Sequence, residues 1–258
     1  MVKVPRGTET GEAPGDPGAR RANIGNIQPT SNAERRDASP VECRGTFTTG
    51  CQPRRRRALS RDFFARPTLD VARDLIGTRL VHEVDGVRAA GVIVETEAYI
   101  GEDDPACHAA AGLTRRTAPL YGPPGLAYVY LNYGVHFLLN AVTEAEGHPA
   151  AVLIRALAPE DGLEVMRQRR GLAASPRADQ GLCRGPGNLT RALGVALREN
   201  GADLCGASSL WIEAGPGAPG PLVWGPRIGI RVGVDAPWRC AVADHPAVSG
   251  RRAPVRRD

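Results

Sequence analysis

The chain of 258 residues contains almost no lysine, because Lys3 is the single one and the other 32 of its 33 basic residues are arginine. The body of the protein therefore lacks the amine side chain that Schiff-base chemistry requires. No apolar run approaches the roughly 18 residues of a membrane-spanning helix, so we expect no contact with a membrane. The N-terminal segment also lacks the apolar core of a secretory signal, so we expect a cytoplasmic protein.

The six cysteines are scattered, and no two of them form a C-x-x-C pair. The spacings of zinc ribbons, zinc fingers and iron–sulfur sites are therefore absent. Since no secretory signal is expected, free thiols in a reducing compartment are the default. The cysteines are Cys43, Cys51, Cys107, Cys183, Cys205 and Cys240.

Net positive charge is confined to the N-terminal fifth of the chain. Residues 1–57 carry 11 basic and 6 acidic side chains, a net charge of +5, whereas the remaining 22 basic and 22 acidic side chains cancel. This segment is rich in Gly, Pro, Arg, Asn, Thr and Ser and has no apolar periodicity, which predicts a disordered basic tail. The tail is either a solvated linker or, through the arginines at 54–57, an arm attracted to nucleic-acid phosphates. We expect a second basic tail at residues 250–258.

From residue 58 onwards the apolar pattern becomes regular. Asp85-Gly86 between two apolar runs predicts a hairpin turn, and Thr68 and Gly77 are placed to cap and to end a helix. Strands in hairpin order with helices between them predict an α+β fold with a largely antiparallel sheet. The predicted helices are residues 69–76, 160–170 and 189–197; the predicted strands are residues 80–84, 87–100, 150–157, 210–212, 227–232 and 239–243, with an apolar and aromatic run at 126–142.

Two carboxylates lie close together on the second predicted strand. Side chains alternate between the faces of a strand, so Glu95, Glu97 and Tyr99 share one face and the apolar residues between them share the other. This arrangement is typical of a polar cleft wall or of a solvent-facing side with incidental acids. Alternation alone favours the solvent-facing interpretation, because antiparallel sheets often have one solvated face.

Aromatic residues are scarce, at 5% of the chain, yet three of the five tyrosines stand between residues 128 and 137. Tyr128 and Tyr130 are two residues apart in this run, and Gly134 allows a tight turn that presents Tyr133. One interpretation is an aromatic core strand with paired hydroxyls. The other is a stacking platform for a nucleic-acid base, with a wedge that enters a duplex.

Arg155 stands in an otherwise apolar strand. An interior guanidinium requires an anionic partner, because an unpaired buried charge costs several kcal/mol. Glu97 is one candidate, and a purely structural ion pair is the alternative.

Two further segments carry weaker signals. Cys107-His108 contains a potential nucleophile and a potential ligand, but no carboxylate–histidine spacing supports a metal site. Residues 185–188, Gly-Pro-Gly-Asn, precede a helix and match neither a Walker A loop nor a dinucleotide fingerprint. They are either a simple helix entry or a set of backbone N–H groups suited to a phosphate.

Taken together, residues 58–249 resemble the alkyladenine (3-methyladenine) DNA glycosylase family. Each motif is weak alone, and their order and spacing make the resemblance specific. The resemblance implies a single compact domain, with a curved antiparallel sheet, flanking helices and a protruding hairpin. The motifs are LSRDFF at 59–64, VETEAY at 94–99, YVYLNYG at 128–134, LIRAL at 153–157, GPGNL at 185–189 and GPRIGI at 225–230.

The resemblance implies a role for each matching residue. Glu97 is the general base that activates water, and Arg155 and the backbone carbonyl of Ile228 hold that water. The remaining implied roles belong to base recognition and to DNA. Tyr99, His108 and Tyr130 enclose a flipped base, Asn140 stands at the pocket mouth and excludes unmodified purines, and Tyr133 fills the gap that the base leaves in the duplex.

The implied partner is double-stranded DNA containing damaged purines, and the implied protein is a monomer that needs no metal or cofactor. If the source is bacterial, we expect association with the nucleoid. Asn188 stands where relatives often have a basic residue, which leaves that phosphate contact open.

The implied activity is base-excision repair by a monofunctional DNA-3-methyladenine glycosylase. Methylated purines, hypoxanthine and ethenoadenine are all candidate substrates. A base must leave the duplex to be reached, and a cationic purine stacks well against tyrosine and leaves easily. We expect Arg155 to lower the pKa of Glu97, so that its carboxylate accepts a proton from water.

Two other classes stay open. A non-catalytic lesion-binding module would retain Tyr133 but release no base. A hydrolase of free nucleosides would have no use for that wedge.

Overall fold

A computed structural model describes residues 58–250. The predicted disordered tail at 1–57 lies outside the described residues, as does all but the first residue of the predicted C-terminal tail. Within the described range, no helix combines the length and the apolar character needed to cross a bilayer.

Eight strands and five α-helices follow one another along this range, with three short 3₁₀ turns at His108–Ala111, Ala118–Tyr121 and Leu197–Glu199. The strands are β1 (Arg79–Val84), β2 (Val87–Ile100), β3 (Ala127–Asn132), β4 (His136–Val142), β5 (Ala150–Asp161), β6 (Leu210–Glu213), β7 (Leu222–Gly225) and β8 (Arg239–Val242). The helices are α1 (Arg61–Phe64), α2 (Thr68–Asp74), α3 (Leu163–Arg170), α4 (Pro176–Gln180) and α5 (Pro186–Leu193).

All strand pairs are antiparallel, in the order β3-β4-β5-β2-β1-β6, and β8 joins β2 to β7. The predicted curved antiparallel sheet is therefore confirmed. Strand β2 pairs with β5 along one edge through residues 90–100. Its other edge is shared by β1, whose first residue lies opposite Val92, and β8, which pairs with residues 95–97. Both acidic residues of β2 therefore lie where the sheet is covered by neighbours on both edges.

The hydrophobic core lies between this sheet and helices α2, α3 and α5. Ile93 and Val94 both enter the core although they are adjacent, because β2 is bulged between Ile93 and Thr96. Beyond the bulge, the Thr96 hydroxyl donates a 2.8 Å hydrogen bond to the Ala72 carbonyl of α2. The bulge lets one side of β2 seal the core while Glu95 and Glu97 project together on the other.

Each of two hairpin turns has two adjacent residues with positive φ, one of them a glycine. Asp85 and Gly86 have φ of 52° and 74°, the doubly positive pair of a type I′ turn. Tyr133 and Gly134 have φ of 48° and 70° and join β3 to β4. Since β4 pairs with β5 only through residues 140–142, the β3–β4 hairpin extends beyond the sheet, and the predicted protruding hairpin is confirmed.

Helix limits are the least accurate of the sequence predictions. Thr68 is the first residue of α2 rather than its cap, and its hydroxyl bonds instead to Glu144. The helix predicted from residue 160 begins only at Leu163, because residues 160–161 continue β5. The helix predicted at 189–197 begins at Pro186 and ends at Leu193.

The strand predicted at residues 227–232 is wrong. This segment is a loop, and the strand lies earlier, at Leu222–Gly225. Gly229 and Gly233 have φ of 83° and 62°, which extended chain does not adopt. The Ile228 N–H also donates to a carboxylate instead of joining a strand ladder.

We predict unequal costs for alanine at the two glycines that flank α3. Gly162 and Gly171 both have positive φ, of 75° and 64°. A Cβ at Gly171 meets open space, whereas one at Gly162 would collide with the Arg88 carbonyl oxygen. Gly171→Ala should cost about 1 kcal/mol of unfolding free energy, and Gly162→Ala about 3 kcal/mol or more. Urea denaturation measures both, and equal costs would contradict the close approach of β2 to this turn.

Candidate active site

A cavity of about 580 Å³ opens beside the β3–β4 hairpin. Its walls come from the end of β2, the segment around His108, the start of α5 and the loop that follows β7. Of the eight predicted site residues, seven border this cavity, namely Tyr99, His108, Tyr130, Tyr133, Asn140, Arg155 and Ile228. The tertiary structure therefore brings together residues that are up to 129 positions apart along the chain (99 to 228).

Glu97 lies just beneath the cavity surface and is fully buried. Its Oε2 accepts hydrogen bonds from Arg155 Nη1 at 3.1 Å and from the Tyr99 hydroxyl at 2.9 Å. Its Oε1 accepts one from the Ile228 N–H at 2.7 Å. All three donors border the cavity, so the carboxylate is held from the side on which a ligand would enter.

The pKa of Glu97 is raised above the usual value for a glutamate. Burial is the main cause, because removal from water penalises the charged form. Arg155, the Ile228 N–H and the Tyr99 hydroxyl act in the opposite direction without cancelling it. The expected effect of Arg155 is confirmed, because Arg155 does lower the pKa of Glu97, but the effect of burial is larger and the net shift is upward.

The interpretation that the acidic face of β2 meets solvent is wrong, because Glu95 is as fully buried as Glu97. Glu95 Oε1 accepts from Arg155 Nε at 3.2 Å and from Arg239 Nε at 2.7 Å, and its Oε2 accepts from the Ser249 N–H at 2.8 Å. Arg155 Nη2 completes the network on the Ser249 hydroxyl at 3.2 Å. Arg239 and Ser249 were missed by sequence reasoning, although Arg239, like Arg155, is a charge in an apolar strand.

Aromatic rings line the cavity on the hairpin side. The His108 and Tyr130 ring centroids are 4.4 Å apart, and Tyr130 lies 5.3 Å from Tyr128. His108 Nδ1 is 2.8 Å from the Tyr128 hydroxyl. Burial and the nearby charge of Arg116 lower the pKa of His108, so its imidazole is neutral at neutral pH. Tyr128 is buried and fits both interpretations of the aromatic run, as a core residue and as part of a stacking platform. It packs in a small core cluster and also borders the cavity.

Two further predicted residues border the cavity, one buried and one exposed. The Asn140 amide is buried and donates a 3.0 Å hydrogen bond to the Tyr128 carbonyl. Tyr133 is 83% exposed at the hairpin tip. Its backbone has a left-handed conformation that residues other than glycine rarely adopt. An exposed aromatic held in that conformation is an unusual use of a turn position.

The weaker candidates give mixed results. Burial raises the pKa of Cys107 to about 11, so its thiol is a poor nucleophile at neutral pH. Within residues 58–250, no group of three or more His, Cys, Asp and Glu side chains is placed to hold a metal ion. Asn188 borders the cavity, and its amide donates to the Arg184 carbonyl at 2.7 Å.

A family model described as methylpurine-DNA glycosylase matches residues 62–246. The chain belongs to this family. The methylpurine-DNA glycosylase match contains every residue that borders the cavity, and it assigns the protein to the DNA glycosylases of DNA repair.

Curated relatives agree with the family match. A "Putative 3-methyladenine DNA glycosylase" of Methanocella arvoryzae is 50% identical over 199 residues, which cover 76% of this chain and 97% of the relative. Proteins of the same name from Chlorobium phaeobacteroides and Rubrobacter xylanophilus are 46% and 52% identical over 196 and 169 residues. These matches cover 76% and 66% of this chain and 96% and 85% of the relatives.

We predict that Arg155→Met strongly destabilises this glycosylase. Glu97 then loses its cation, whereas Glu95 retains Arg239, and an uncompensated buried charge costs about 3–5 kcal/mol. The loss should be largest at neutral pH and should shrink on acidification, because protonation of Glu97 removes the unpaired charge. Denaturant titrations at two pH values measure this, with Arg167→Met on the surface of α3 as a control that should change little. A loss independent of pH would contradict it.

Proposed function

We propose that this protein is a monofunctional, monomeric DNA glycosylase that flips alkylated or deaminated purines out of double-stranded DNA. It then hydrolyses the N-glycosidic bond with a water that Glu97 activates, leaving an abasic site. The observation that carries the proposal is a fully buried carboxylate, held by Arg155, Tyr99 and the Ile228 N–H, which all border a cavity with aromatic walls.

Base flipping is necessary because a stacked base is out of reach of Glu97. Extrusion of a nucleotide costs a few kcal/mol, and less for a damaged or mispaired base. Tyr133 at the tip of the protruding hairpin is placed to fill the vacated position, because it is exposed and also borders the cavity. The neighbouring tip residues Leu131 and Val135 are also exposed and apolar, as suits a surface that meets unstacked bases.

The cavity suits an aromatic ligand. Tyr99 and Tyr130 present faces on which a purine stacks, and an electron-poor, cationic purine is favoured by such faces. His108 is neutral and contributes a polar edge beside Tyr130. Methylated purines of the 3-methyladenine type fit this description, and hypoxanthine and ethenoadenine are the neutral candidates.

The proposed chemistry uses the ionised form of Glu97. The N-glycosidic bond breaks with its electron pair leaving on the base, and the sugar develops oxocarbenium character. Water attacks the anomeric carbon while Glu97 accepts its proton. Burial raises the pKa of Glu97 towards the working pH, which makes the carboxylate a stronger base than an exposed one. Arg155 and the Ile228 backbone keep its oxygens aligned, and no lysine amine stands in the body of the chain for lyase chemistry.

We predict that Glu97→Gln abolishes base release but not DNA binding. The amide keeps the shape of the side chain but cannot accept a proton from water, so excision should fall by at least about a hundredfold. Single-turnover release from duplexes with methylated, deaminated or etheno purines measures the first effect, and gel-shift on abasic DNA measures the second. Glu164→Gln, at an exposed site on α3, is the matched control and should behave as wild type.

Two outcomes would contradict this assignment. Retained excision by Glu97→Gln would remove Glu97 from its role. Tight binding with no release by the wild-type protein would instead identify a non-catalytic lesion-binding module, and turnover of free nucleosides would identify a nucleoside hydrolase.

We predict that Tyr133→Ala weakens flipping without unfolding the protein. Tyr133 is 83% exposed and lies at the hairpin tip, so its truncation removes little core packing. Fluorescence of a 2-aminopurine placed beside the lesion reports unstacking, and thermal denaturation reports folding. Leu197→Ala is the control, because Leu197 is also an exposed apolar residue, at 57%, but lies outside the hairpin tip and does not border the cavity. Normal flipping with a lowered melting temperature would mean that Tyr133 is a packing residue.

A further inference from the structure

A buried arginine–aspartate pair lies directly behind the cavity. Arg227 donates from Nη1 to Asp104 Oδ2 at 2.6 Å and from Nη2 to Asp104 Oδ1 at 2.8 Å. The Arg227 side chain is 0% exposed and that of Asp104 is 1% exposed. Arg227 falls within the GPRIGI motif, but the sequence analysis gave no role to Arg227 or Asp104, and neither residue borders the cavity.

The pair joins the three segments that carry the proposed site. Arg227 Nη1 also donates to the Ala98 carbonyl in β2 at 3.0 Å, and Nη2 approaches the Gly233 carbonyl at 3.3 Å in the loop that contains Ile228. Asp104 accepts from the Ala106 N–H at 3.1 Å, two residues before His108. It also accepts from the Ile100 N–H at 3.2 Å at the end of β2. Three of the cavity walls, namely the end of β2, the segment before His108 and the loop after β7, are therefore bonded to one side-chain pair.

The guanidinium of Arg227 also packs between two aromatic rings. Its Cζ lies 4.7 Å from the Tyr99 centroid and 5.0 Å from the Trp238 centroid. Tyr99 borders the cavity, whereas Arg227 and Trp238 do not. The Tyr99 ring is thus supported from behind by a planar cation that is itself backed by Trp238.

Stability alone is a poor reason for such a pair. A fully buried ion pair contributes little net stability, because desolvation of the two charges offsets their attraction. Its distinctive property is the fixed geometry of a bidentate, planar contact. Here that geometry is applied to Tyr99, whose hydroxyl is one of the three donors to Glu97.

We propose that Arg227 and Asp104 form a positioning pair, which fixes the Tyr99 ring as a wall of the base slot and holds the Tyr99 hydroxyl on Glu97. The pair touches neither the base nor the water, and it acts through Tyr99. This inference rests on the proposed function for the meaning of the slot, but the contacts themselves do not.

The consequence for Glu97 has a definite sign. The Tyr99 hydroxyl donates to the ionised carboxylate and so lowers the pKa of Glu97 against the opposing effect of burial. Loss of this hydrogen bond should therefore raise the pKa of Glu97 further. The substitutions tested below leave the other groups that face this carboxylate chemically unchanged, namely Arg155 from β5, Glu95 from β2 and the Ile228 N–H from the loop, with Arg239 of β8 bonded to Glu95.

The test compares the Arg227→Met/Asp104→Asn double variant with Tyr99→Phe and with the triple variant. Changing both partners avoids an unpaired buried charge. The readouts are NMR titration of the Glu97 carboxyl carbon, which needs no turnover, and single-turnover excision across the acidic pH range. The control is Arg167→Met/Asp179→Asn, which removes another bidentate pair away from the cavity and should change neither readout.

We expect the double variant and Tyr99→Phe each to move the Glu97 midpoint upward by about one pH unit. The triple variant should show no further shift, since both changes remove the same hydrogen bond. Excision at neutral pH by the double variant should fall about ten- to a hundredfold through misplacement of the Tyr99 wall. The acidic limb of its pH profile should move with the midpoint.

An unchanged Glu97 midpoint in the folded double variant overturns the proposal, as does a shift that adds fully to that of Tyr99→Phe. If the double variant does not fold, Arg227→Lys decides the question. Lysine keeps the charge opposite Asp104 but offers neither a planar stack nor a bidentate contact, so an unchanged midpoint there also overturns it. Absence of base release by the wild-type protein, with the midpoints still responding, would refute the proposed function and leave the positioning role standing.

Discussion

The structure depends on a network of buried charges at the centre of its sheet. Glu95 and Glu97 of β2 share Arg155 of β5, and Glu95 is also bonded to Arg239 of β8. None of these charges is tolerable alone, because an unpaired ion in the interior costs several kcal/mol. The strands must therefore assemble together. Alternation along β2 places both carboxylates on the same side, and the bulge beside them lets the adjacent Ile93 and Val94 both face the core.

The same network places a titratable group beneath a cavity. Glu97 is isolated from water, which raises its pKa, yet three donors on the cavity side keep its oxygens oriented. Two of these donors, Tyr99 and the Ile228 N–H, are positioned by contacts with loops. The loop with Ile228 is held by Glu97 itself and by Arg227, and Tyr99 is held by the Arg227–Asp104 pair. The site is therefore built by mutual support between loops and the sheet, and not by the sheet alone.

Local features of the fold were accessible to sequence reasoning, and non-local ones were not. The Asp85-Gly86 turn follows from the φ preferences of two adjacent residues, and in the β3–β4 turn Gly134 supplies a positive φ that glycine readily adopts. The segment at 227–232 has the alternating apolar pattern of a strand, but it forms a loop. Its backbone is fixed by hydrogen bonds to Glu97 and from Arg227. The helix predicted from residue 160 failed similarly, because β5 pairs with β2 as far as Asp161 and this pairing overrides the acidic helix start.

The sequence by itself determined the family, since the order of its motifs identified it, and it named Glu97, Arg155 and the tyrosines as the candidates for the chemistry. Only the tertiary structure decided whether those residues are buried, which partners they have and in which direction their pKa values move. A strand with alternating acids looks the same whether that side meets water or two arginines. The difference lies in partners 60 and 144 positions away from Glu95, and the burial that these contacts create depends on packing that no local pattern encodes.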